Sequence, residues 1–372
     1  MIPFNDHALH INITLAHLKP PSEVIIESAG KAPGASETPP GPPGPQNPSQ
    51  WLAKSERQNR QRCLERLVTH LAQSGLPEKA LIEQYLRHKY RNNCKVVTIQ
   101  SAYTAIKLFL LFLQREGKTA LRDVTHRDVE AFIEAEQDRG KKIATVRMRL
   151  INLNTFFRFL IDQGVIDGQV LEKKIRLKLP DVLPRAIEAE PLKRLVSVIT
   201  KTRDRAMILL LLRTGMRIGE LLETTLSDIN LQEQKIIIYQ ASKTGIGRVV
   251  YYSNDAREAL EQWLQQRDAS EPFLFYSNRG GPLGYSAARS VFKKYVKMAG
   301  LEDSGYTLHR LRHSFASELL NAGMRLECLQ PLLGHTNIEV TRRYARLTDK
   351  SREEEYFRAM QIIEQEGIDG HY

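Results

Sequence analysis

The sequence has few cysteines, few aromatic side chains and no long uninterrupted apolar run. Its three cysteines, Cys63, Cys94 and Cys328, are odd in number, widely separated and outside any CxxC pattern, so neither a disulfide framework nor a cysteine-ligated metal site is expected. The apolar runs LFLLFL at 108–113 and MILLLL at 207–212 contain six residues each, whereas a bilayer span needs about 20. The amino terminus has no secretion-signal pattern. We therefore expect a soluble, cytoplasmic protein with reduced thiols.

What the sequence does have is a basic excess that is concentrated in one region. The 372 residues carry 54 Lys and Arg against 43 Asp and Glu, a net charge of +11, and 42% of them are apolar, which is enough for two ordinary cores. Residues 51–180 hold 25 basic and 14 acidic side chains, whereas residues 181–372 hold 27 and 25. This local surplus indicates a polyanionic partner such as nucleic acid, although a solvated basic surface would give the same count.

Proline-rich segments divide the chain. Residues 31–50 contain seven prolines and three glycines, a composition typical of an extended linker. The sequence KLPDVLPR at 178–185 has two prolines and no periodicity, and so separates two further regions. We predict a disordered extension and linker at 1–50, a helical domain at 51–180 and a second domain at 181–372.

Apolar residues recur at helical spacing through both domains. In the first domain the helices are predicted at 52–73, 78–91, 98–117, 126–138 and 143–163. In the second they are predicted at 189–200, 204–214, 217–224, 256–266, 287–299, 308–322, 325–333 and 338–344. Alternating residues predict a hairpin of strands 235–239 and 249–252 around the turn SKTGIG. The fold class is therefore mainly α with a small antiparallel β-sheet in the second domain.

Five basic residues lie on the outer face of the predicted helix at 143–163 or just before it. The core explains the apolar half of this helix, whereas the basic half fits either solvent exposure or contact with DNA phosphates. We predict that the following five residues bind DNA: Lys141, Lys142, Arg147, Arg149 and Arg158.

Six side chains of the second domain suit phosphodiester chemistry, although each one taken singly has an ordinary explanation as a surface charge or a packing residue. Two arginines hold the non-bridging oxygens of a phosphate through bidentate forks. A tyrosine phenol attacks phosphorus and stores the ester covalently. A histidine accepts the phenol proton, and a lysine on a hairpin protonates the leaving oxygen. The six candidate catalytic residues are Arg217, Lys243, His309, Arg312, His335 and Tyr344.

The spacing of these residues is compatible with one site. His309 and Arg312 are three residues apart on a predicted helix, and therefore project to the same side. Glu220 follows Arg217 by three residues, so its carboxylate either orients that guanidinium or forms an ordinary surface ion pair.

The order of these groups, within RTGMRIGELL, HRLRHSFAS and LLGH, resembles the tyrosine recombinases of the phage-integrase and Xer group. The resemblance runs from about residue 98 to 347, and implies a two-domain clamp in which the helical domain at 51–180 binds DNA and the domain at 181–372 is catalytic. The implied roles are Tyr344 as the nucleophile that forms a 3′-phosphotyrosine, Arg217 and Arg312 as the phosphate clamp, Lys243 as general acid, His309 as base and His335 as a phosphate ligand.

The resemblance also implies partners. Family members act as homotetramers on two double-stranded DNA sites, without a metal or cofactor, because the phosphotyrosine conserves the ester. The tail at 351–367 resembles the helix that contacts a neighbouring protomer, with packing on its own domain as the alternative. An accessory DNA-bending or directionality protein is a further candidate partner, and no membrane partner is expected.

We predict from this a site-specific recombinase that integrates or excises a mobile element, since about 97 residues precede the part that resembles the minimal members of the family. The alternatives are a Xer-type resolvase of replicon dimers, a non-catalytic DNA-binding regulator on the same fold, and a topoisomerase. The segment TGIGRVVYY after Lys243 is less charged than in many relatives, which bears on the general-acid assignment.

Overall fold

The computed structural model describes residues 48–180, 185–239, 247–278 and 280–334. Residues 1–47 of the extension and linker predicted at 1–50, the hairpin turn that carries Lys243, and everything from His335 onward lie outside these ranges. Residues 48–50 of the predicted linker belong to a helix instead. The described residues form twelve α-helices and three short strands, so the fold class predicted from the sequence is confirmed.

The first part of the chain folds into five helices around an apolar core. They are α1 (Pro48–Gln73), α2 (Lys79–Arg91), α3 (Val96–Arg115), α4 (His126–Asp138) and α5 (Ile143–Asp162). The helix α3 packs along α5, and three aromatic rings link these two helices to α4: Phe109 lies 5.3 Å from Phe132 and 5.5 Å from Phe157, both edge to face.

The helix α4 begins at His126, as predicted, and local capping fixes this start. The backbone N–H of Thr125 donates to the Asp128 carboxylate at 2.7 Å, and Lys118 binds the same carboxylate at 2.7 Å. At the other end of this domain, α1 begins at Pro48, four residues before the predicted start at 52. Proline is tolerated in the first turn, where its missing N–H would have no helical partner.

Among the described residues, α3 alone is long and apolar enough to cross a membrane by length and composition. Eight of its side chains are buried in the helical core. The core helix of a globular protein meets the same criteria, and the burial of α3 against α5 explains its composition without a bilayer.

The second part of the chain contains seven described helices around another apolar core. They are α6 (Ala189–Ser197), α7 (Thr202–Thr214), α8 (Ile218–Glu223), α9 (Asn254–Gln266), α10 (Tyr285–Met298), α11 (Leu308–Asn321) and α12 (Leu326–Leu333). The MILLLL run of α7 at 207–212 is entirely buried. Helices that are apolar all round pack on every side, and α7 lies against α9 and α11.

A small antiparallel sheet covers one side of this second core. Its strands are β1 (Ile229–Asn230), β2 (Lys235–Ile238) and β3 (Arg248–Tyr251), in the order β1-β2-β3. In the β2–β3 pair Ile236 lies opposite Val250, and both are fully buried. The alternation of apolar residues found these two strands, whereas the two-residue β1 is too short to give a periodic signal.

Candidate active site

Three arginine side chains meet at the carboxyl end of α12. Arg248, Arg312 and Arg217 each donate a hydrogen bond to a different one of three successive carbonyl oxygens, those of residues 332, 333 and 334. The last carbonyls of a helix lack intrahelical partners and carry the negative end of the helix dipole. The end of α12 therefore fixes three guanidiniums that come from three separate parts of the chain.

A glycine at the end of α7 allows this helix to pack closely against α11, the helix that carries Arg312. Gly215 ends α7 with a φ of 61°, and a Cβ at this position would lie 2.3 Å from the ring of Phe315 on α11. Its carbonyl oxygen accepts a hydrogen bond of 2.6 Å from Nη1 of Arg312. Only a residue without a side chain permits both the left-handed backbone and this close approach of α7 to α11.

Arg217 stands at the amino-terminal cap of α8 and is oriented by Glu220. The backbone N–H of Arg217 donates to Oε2 of Glu220 at 2.8 Å, and its Nη1 donates to Oε1 at 2.9 Å. Glu220 is only 5% exposed, so its carboxylate is buried, while the Arg217 side chain is partly exposed. Of the two roles that the sequence left open for Glu220, the structure has the orienting one.

Arg248 provides a second, bidentate partner for the same carboxylate. Its Nη2 and Nη1 donate to the two oxygens of Glu220 at 2.7 and 3.0 Å. Burial acts to raise the pKa of Glu220, but the hydrogen bonds and positive charges of Arg248 and Arg217 outweigh it and hold the pKa below its ordinary value. Glu220 is therefore ionised at neutral pH and neutralises one of the two charges that it contacts.

Sequence reasoning missed Arg248. The residue lies five positions after Lys243, in the segment ASKTGIGR, and a strand-end arginine is ordinarily exposed. In the structure its side chain is almost fully buried, and a Cβ on Gly334 would lie 2.9 Å from its Nη1. The sequence contained one relevant signal, because a glycine such as Gly334 directly after an apolar helix indicates close packing. No local pattern, however, indicates that the side chain packed there is Arg248.

The two histidines of α11 lie one turn apart. His309 is exposed in the first turn, and its ring centroid lies 4.6 Å from that of His313 in an edge-to-face arrangement. Burial, together with the positive charges of His309, Arg312 and Arg310, lowers the pKa of His313 to about 4. His313 is thus neutral at pH 7.

The structure brings Arg217 and Arg312 together and places His309 one turn before Arg312 on the same helix. Lys243, His335 and Tyr344 lie outside the described residues, and their roles stay predictions. Two of them are close in sequence to described residues of the arginine cluster: His335 directly follows Gly334, and Lys243 precedes Arg248 by five residues.

The five predicted DNA-binding residues differ in their surroundings. Lys141, Lys142, Arg147 and Arg158 are exposed. Arg149 is instead ion-paired with Glu136 of α4, a carboxylate that is 1% exposed and also binds Arg139 at 2.7 Å. Arg149 therefore has a structural partner inside the protein, and its contact with DNA stays a prediction.

Comparison with known proteins identifies both parts of the chain. Residues 185–351 match the family model described as phage integrase family, and residues 82–164 match the phage integrase N-terminal SAM-like domain. Tyrosine recombinase XerC of Roseiflexus castenholzii is 32% identical over 285 residues, which cover 73% of this chain and 90% of the relative. Tyrosine recombinase XerA of Pyrococcus horikoshii is 32% identical over 229 residues, which cover 61% of this chain and 77% of the relative.

A solved structure has the same fold. The integrase of transposon Tn1549, in complex with transposon right end DNA, superposes with a TM-score of 0.60 at 21% identity and covers 75% of this chain and 98% of the integrase chain. The resemblance drawn from the six site residues is confirmed: the chain belongs to the phage-integrase family of tyrosine recombinases, enzymes that cleave and rejoin DNA.

Proposed function

We propose that this protein is a site-specific DNA recombinase in which Tyr344 forms a 3′-phosphotyrosine with the cleaved strand. The observation that carries the proposal is the pairing of Arg217 and Arg312 on adjacent carbonyls at the end of α12. Two permanently charged guanidiniums held in fixed positions suit the two non-bridging oxygens of one phosphate. Because the site is organised before DNA arrives, little reorganisation is needed as negative charge develops in the transition state.

The proposed reaction balances without a cofactor. The phenol oxygen of Tyr344 attacks phosphorus, and His309 accepts its proton. The bond from phosphorus to the 5′-oxygen breaks, and Lys243 protonates that oxygen as it leaves. In the rejoining step the 5′-hydroxyl of the strand cleaved at the other DNA site attacks the phosphotyrosine and gives its proton to Lys243. The bond from phosphorus to the Tyr344 oxygen breaks and His309 returns a proton to the phenol, so that one ester replaces another at each step. His335 adds a donor to the phosphate, as in the family resemblance.

Substrate binding is proposed for the exposed basic face of the helical domain. Lys141 and Lys142 precede α5, and Arg147 and Arg158 are eleven residues apart along it, so the two arginines share a face of the helix. Contacts of this kind to phosphates position a protein on duplex DNA independently of sequence.

The biological setting is proposed as integration or excision of a mobile element in the cytoplasm, by a homotetramer assembled on two sites through the carboxyl-terminal tail. The support is the long stretch before residue 82, where the family match begins. A Xer-type resolvase of replicon dimers is the second candidate, favoured by the 32% identity to a XerC recombinase over 90% of its length. In the mobile-element setting, an accessory DNA-bending or directionality protein is proposed as a further partner.

A nicked duplex tests the chemistry. Wild type and Tyr344→Phe are incubated in EDTA with candidate sites that are nicked near the cleavage position, so that the small released fragment diffuses away and the covalent adduct accumulates. An adduct in wild type alone, seen on a denaturing gel, supports the proposal. An adduct in Tyr344→Phe identifies another nucleophile, and DNA that is bound without adduct by either protein favours a non-catalytic regulator. A cellular test separates the two biological settings. Excision of a marked element by the protein supports the mobile-element setting, whereas rescue of cells that cannot resolve replicon dimers supports the Xer-type resolvase.

A further inference from the structure

The helix α1 lies outside both family matches, since it ends at Gln73 and the amino-terminal match begins at residue 82. It is nevertheless an integral part of the fold. Leu64 and Leu71 are buried in the helical core, and Nδ1 of His70 is hydrogen-bonded to the hydroxyl of Tyr103 on α3 at 2.7 Å. The carboxyl-terminal half of α1 is therefore firmly held.

The amino-terminal end of α1 is held as well, by the second part of the chain. The ring of Trp51 lies 5.7 Å from that of Phe273, edge to face. It also covers Gly281, where a Cβ would lie 2.3 Å from the indole. The helix thus spans from one core to the other, and its middle section has a fixed position between two anchors.

A cavity of about 560 Å³ lies along this middle section. Every residue that lines it has a side chain able to donate hydrogen bonds, and the lining contains no carboxylate. Within the part of the chain that the structure describes, neither of its two arginines lies within ion-pair distance of an acidic side chain. The lining residues are Arg57, Gln58, Gln61, Arg62 and Tyr90.

A further arginine lies against Tyr90, one of the lining residues. The guanidinium of Arg60 lies 5.3 Å from the centroid of the Tyr90 ring and donates to the Tyr90 carbonyl oxygen at 3.4 Å. This contact orients the phenol and adds a third positive charge within one turn of Arg57 and Arg62. Gln61 donates to Glu65 at 2.6 Å and Arg62 donates to Asn59 at 2.9 Å. Three guanidiniums against the single carboxylate of Glu65 make this section of α1 basic, which favours an anionic ligand.

We propose that this cavity binds backbone phosphates of duplex DNA, as a contact that the matched family domains do not include. Guanidinium, amide and phenol donors are the side chains that bind DNA phosphates. The cavity also belongs to the segment 51–180, whose 25 basic against 14 acidic residues supply the protein's charge excess. This inference rests on the proposed function in taking DNA as the ligand, but it does not require any step of the chemistry.

The test is the salt dependence of DNA binding by the full chain. Each phosphate contact that is lost lowers the slope of log K against log salt by about 0.9. The double variant Arg57→Gln/Arg62→Gln should therefore lower the slope by about 1 to 2. The loss should be equal on a recombination site and on an unrelated duplex, because phosphates carry no sequence information.

Arg115→Gln is the matched control. Arg115 is also exposed on the helical domain but lies at the carboxyl-terminal end of α3. The salt slope of DNA binding by this variant should equal that of wild type. An unchanged slope in the double variant, with an unchanged melting temperature, overturns the proposal. So does a loss of affinity confined to the recombination site, since that result indicates base recognition.

Cleavage of nicked DNA at saturating protein separates this inference from the proposed function. The double variant should form covalent adduct at the wild-type rate once it is bound, because the cavity does not include the reacting residues. A changed salt slope with no adduct in any protein would leave the phosphate site standing and remove the recombinase proposal. A slower adduct rate at saturation in the double variant would contradict a role limited to binding.

Discussion

Arg248 binds both carboxylate oxygens of Glu220, at 2.7 and 3.0 Å, although the two residues are 28 positions apart in the chain. Glu220 in turn holds Arg217, one of the two arginines proposed to bind the scissile phosphate. The orientation of this proposed phosphate ligand therefore depends on a residue of the hairpin strand β3. The buried carboxylate and the end of α12 act together as the frame of the site.

Glu220→Gln should destabilise the fold and slow cleavage. The variant removes the only negative charge between two guanidiniums in this cluster of described residues, and breaking a buried pair of this kind costs about 3–5 kcal/mol. Urea unfolding measures the stability. Glu233→Gln is the control, because Glu233 pairs with Lys235 at the surface and its loss should change stability by less than about 1 kcal/mol. Equal losses of unfolding free energy in the two variants would show that the buried Glu220 pairs stabilise the fold no more than a surface ion pair does.

Gly334→Ala should impair cleavage more than Gly323→Ala. Both glycines follow helices with positive φ, 60° and 87°, so both variants share a backbone cost of about 1–2 kcal/mol. A Cβ at Gly334 would also lie 2.9 Å from Nη1 of Arg248, whereas nothing lies within 4 Å at Gly323. The displaced guanidinium would lose a hydrogen bond to Glu220, and we expect adduct formation to slow by about tenfold or more. Equal adduct rates in the two variants would contradict this role of the Arg248 contact.

Arg149→Ala should destabilise the fold far more than Arg147→Ala, although both arginines lie on α5. Arg149 pairs with the buried Glu136, so its removal leaves a buried charge with less compensation and should lower the free energy of unfolding by about 3 kcal/mol. Arg147 is exposed, and its removal should leave stability within about 0.5 kcal/mol of wild type. Unfolding of the two variants side by side gives the answer, and a stable Arg149→Ala protein would contradict the structural role.

His313 should make the protein less stable at mildly acidic pH. Its folded pKa of about 4 lies below the ordinary value of 6.5, so between these values the unfolded chain binds a proton that the folded chain does not. Stability is then complete above about pH 6.5 and decreases as the pH falls toward 4, with a slope below about 1.4 kcal/mol per pH unit, since the ring is partly exposed. Urea unfolding at several pH values should show a flatter profile for His313→Gln. Parallel profiles would show that other groups cause the dependence.

Lys141→Glu/Lys142→Glu should weaken binding to every duplex and flatten the salt slope. Both lysines are exposed immediately before α5, and reversal of their charge replaces phosphate attraction by repulsion. Fluorescence anisotropy from low to high salt measures the slope. Arg115→Gln again serves as the control, and an unchanged slope in the double variant would move the DNA contact to another face.

The helices were largely predictable because their signal is local. The predicted helix at 126–138 has the observed bounds, and the one predicted at 143–163 ends one residue late. Those predicted at 256 and 287 begin two residues earlier in the structure, at Asn254 and Tyr285. Apolar periodicity locates the buried turns, whereas the first turn of a helix is polar and is set by capping.

The sequence supplies candidates for the residue types of the site, but not their arrangement. Arginine, histidine, lysine and tyrosine side chains suit metal-free phosphodiester chemistry, and short motifs identify candidates for each. No local pattern shows that Arg217 reaches the carbonyl of a residue 117 positions away, or that Arg312 reaches one 97 positions away. The burial of Arg149 against Glu136 was equally invisible, because the basic face of α5 gives the same pattern whether it meets solvent or a neighbouring helix.

By itself, the sequence determined the helical fold class and the family, since each follows from the periodicity or the order of residues along the chain, and it supplied the candidates for the reactive groups. The tertiary structure alone decided that Arg248 joins Glu220, that three arginines take the three carbonyls at the end of α12, and that Trp51 connects α1 to the second core. These contacts join residues far apart in the chain, and only the packing of whole helices against one another brings them within hydrogen-bond or van der Waals distance.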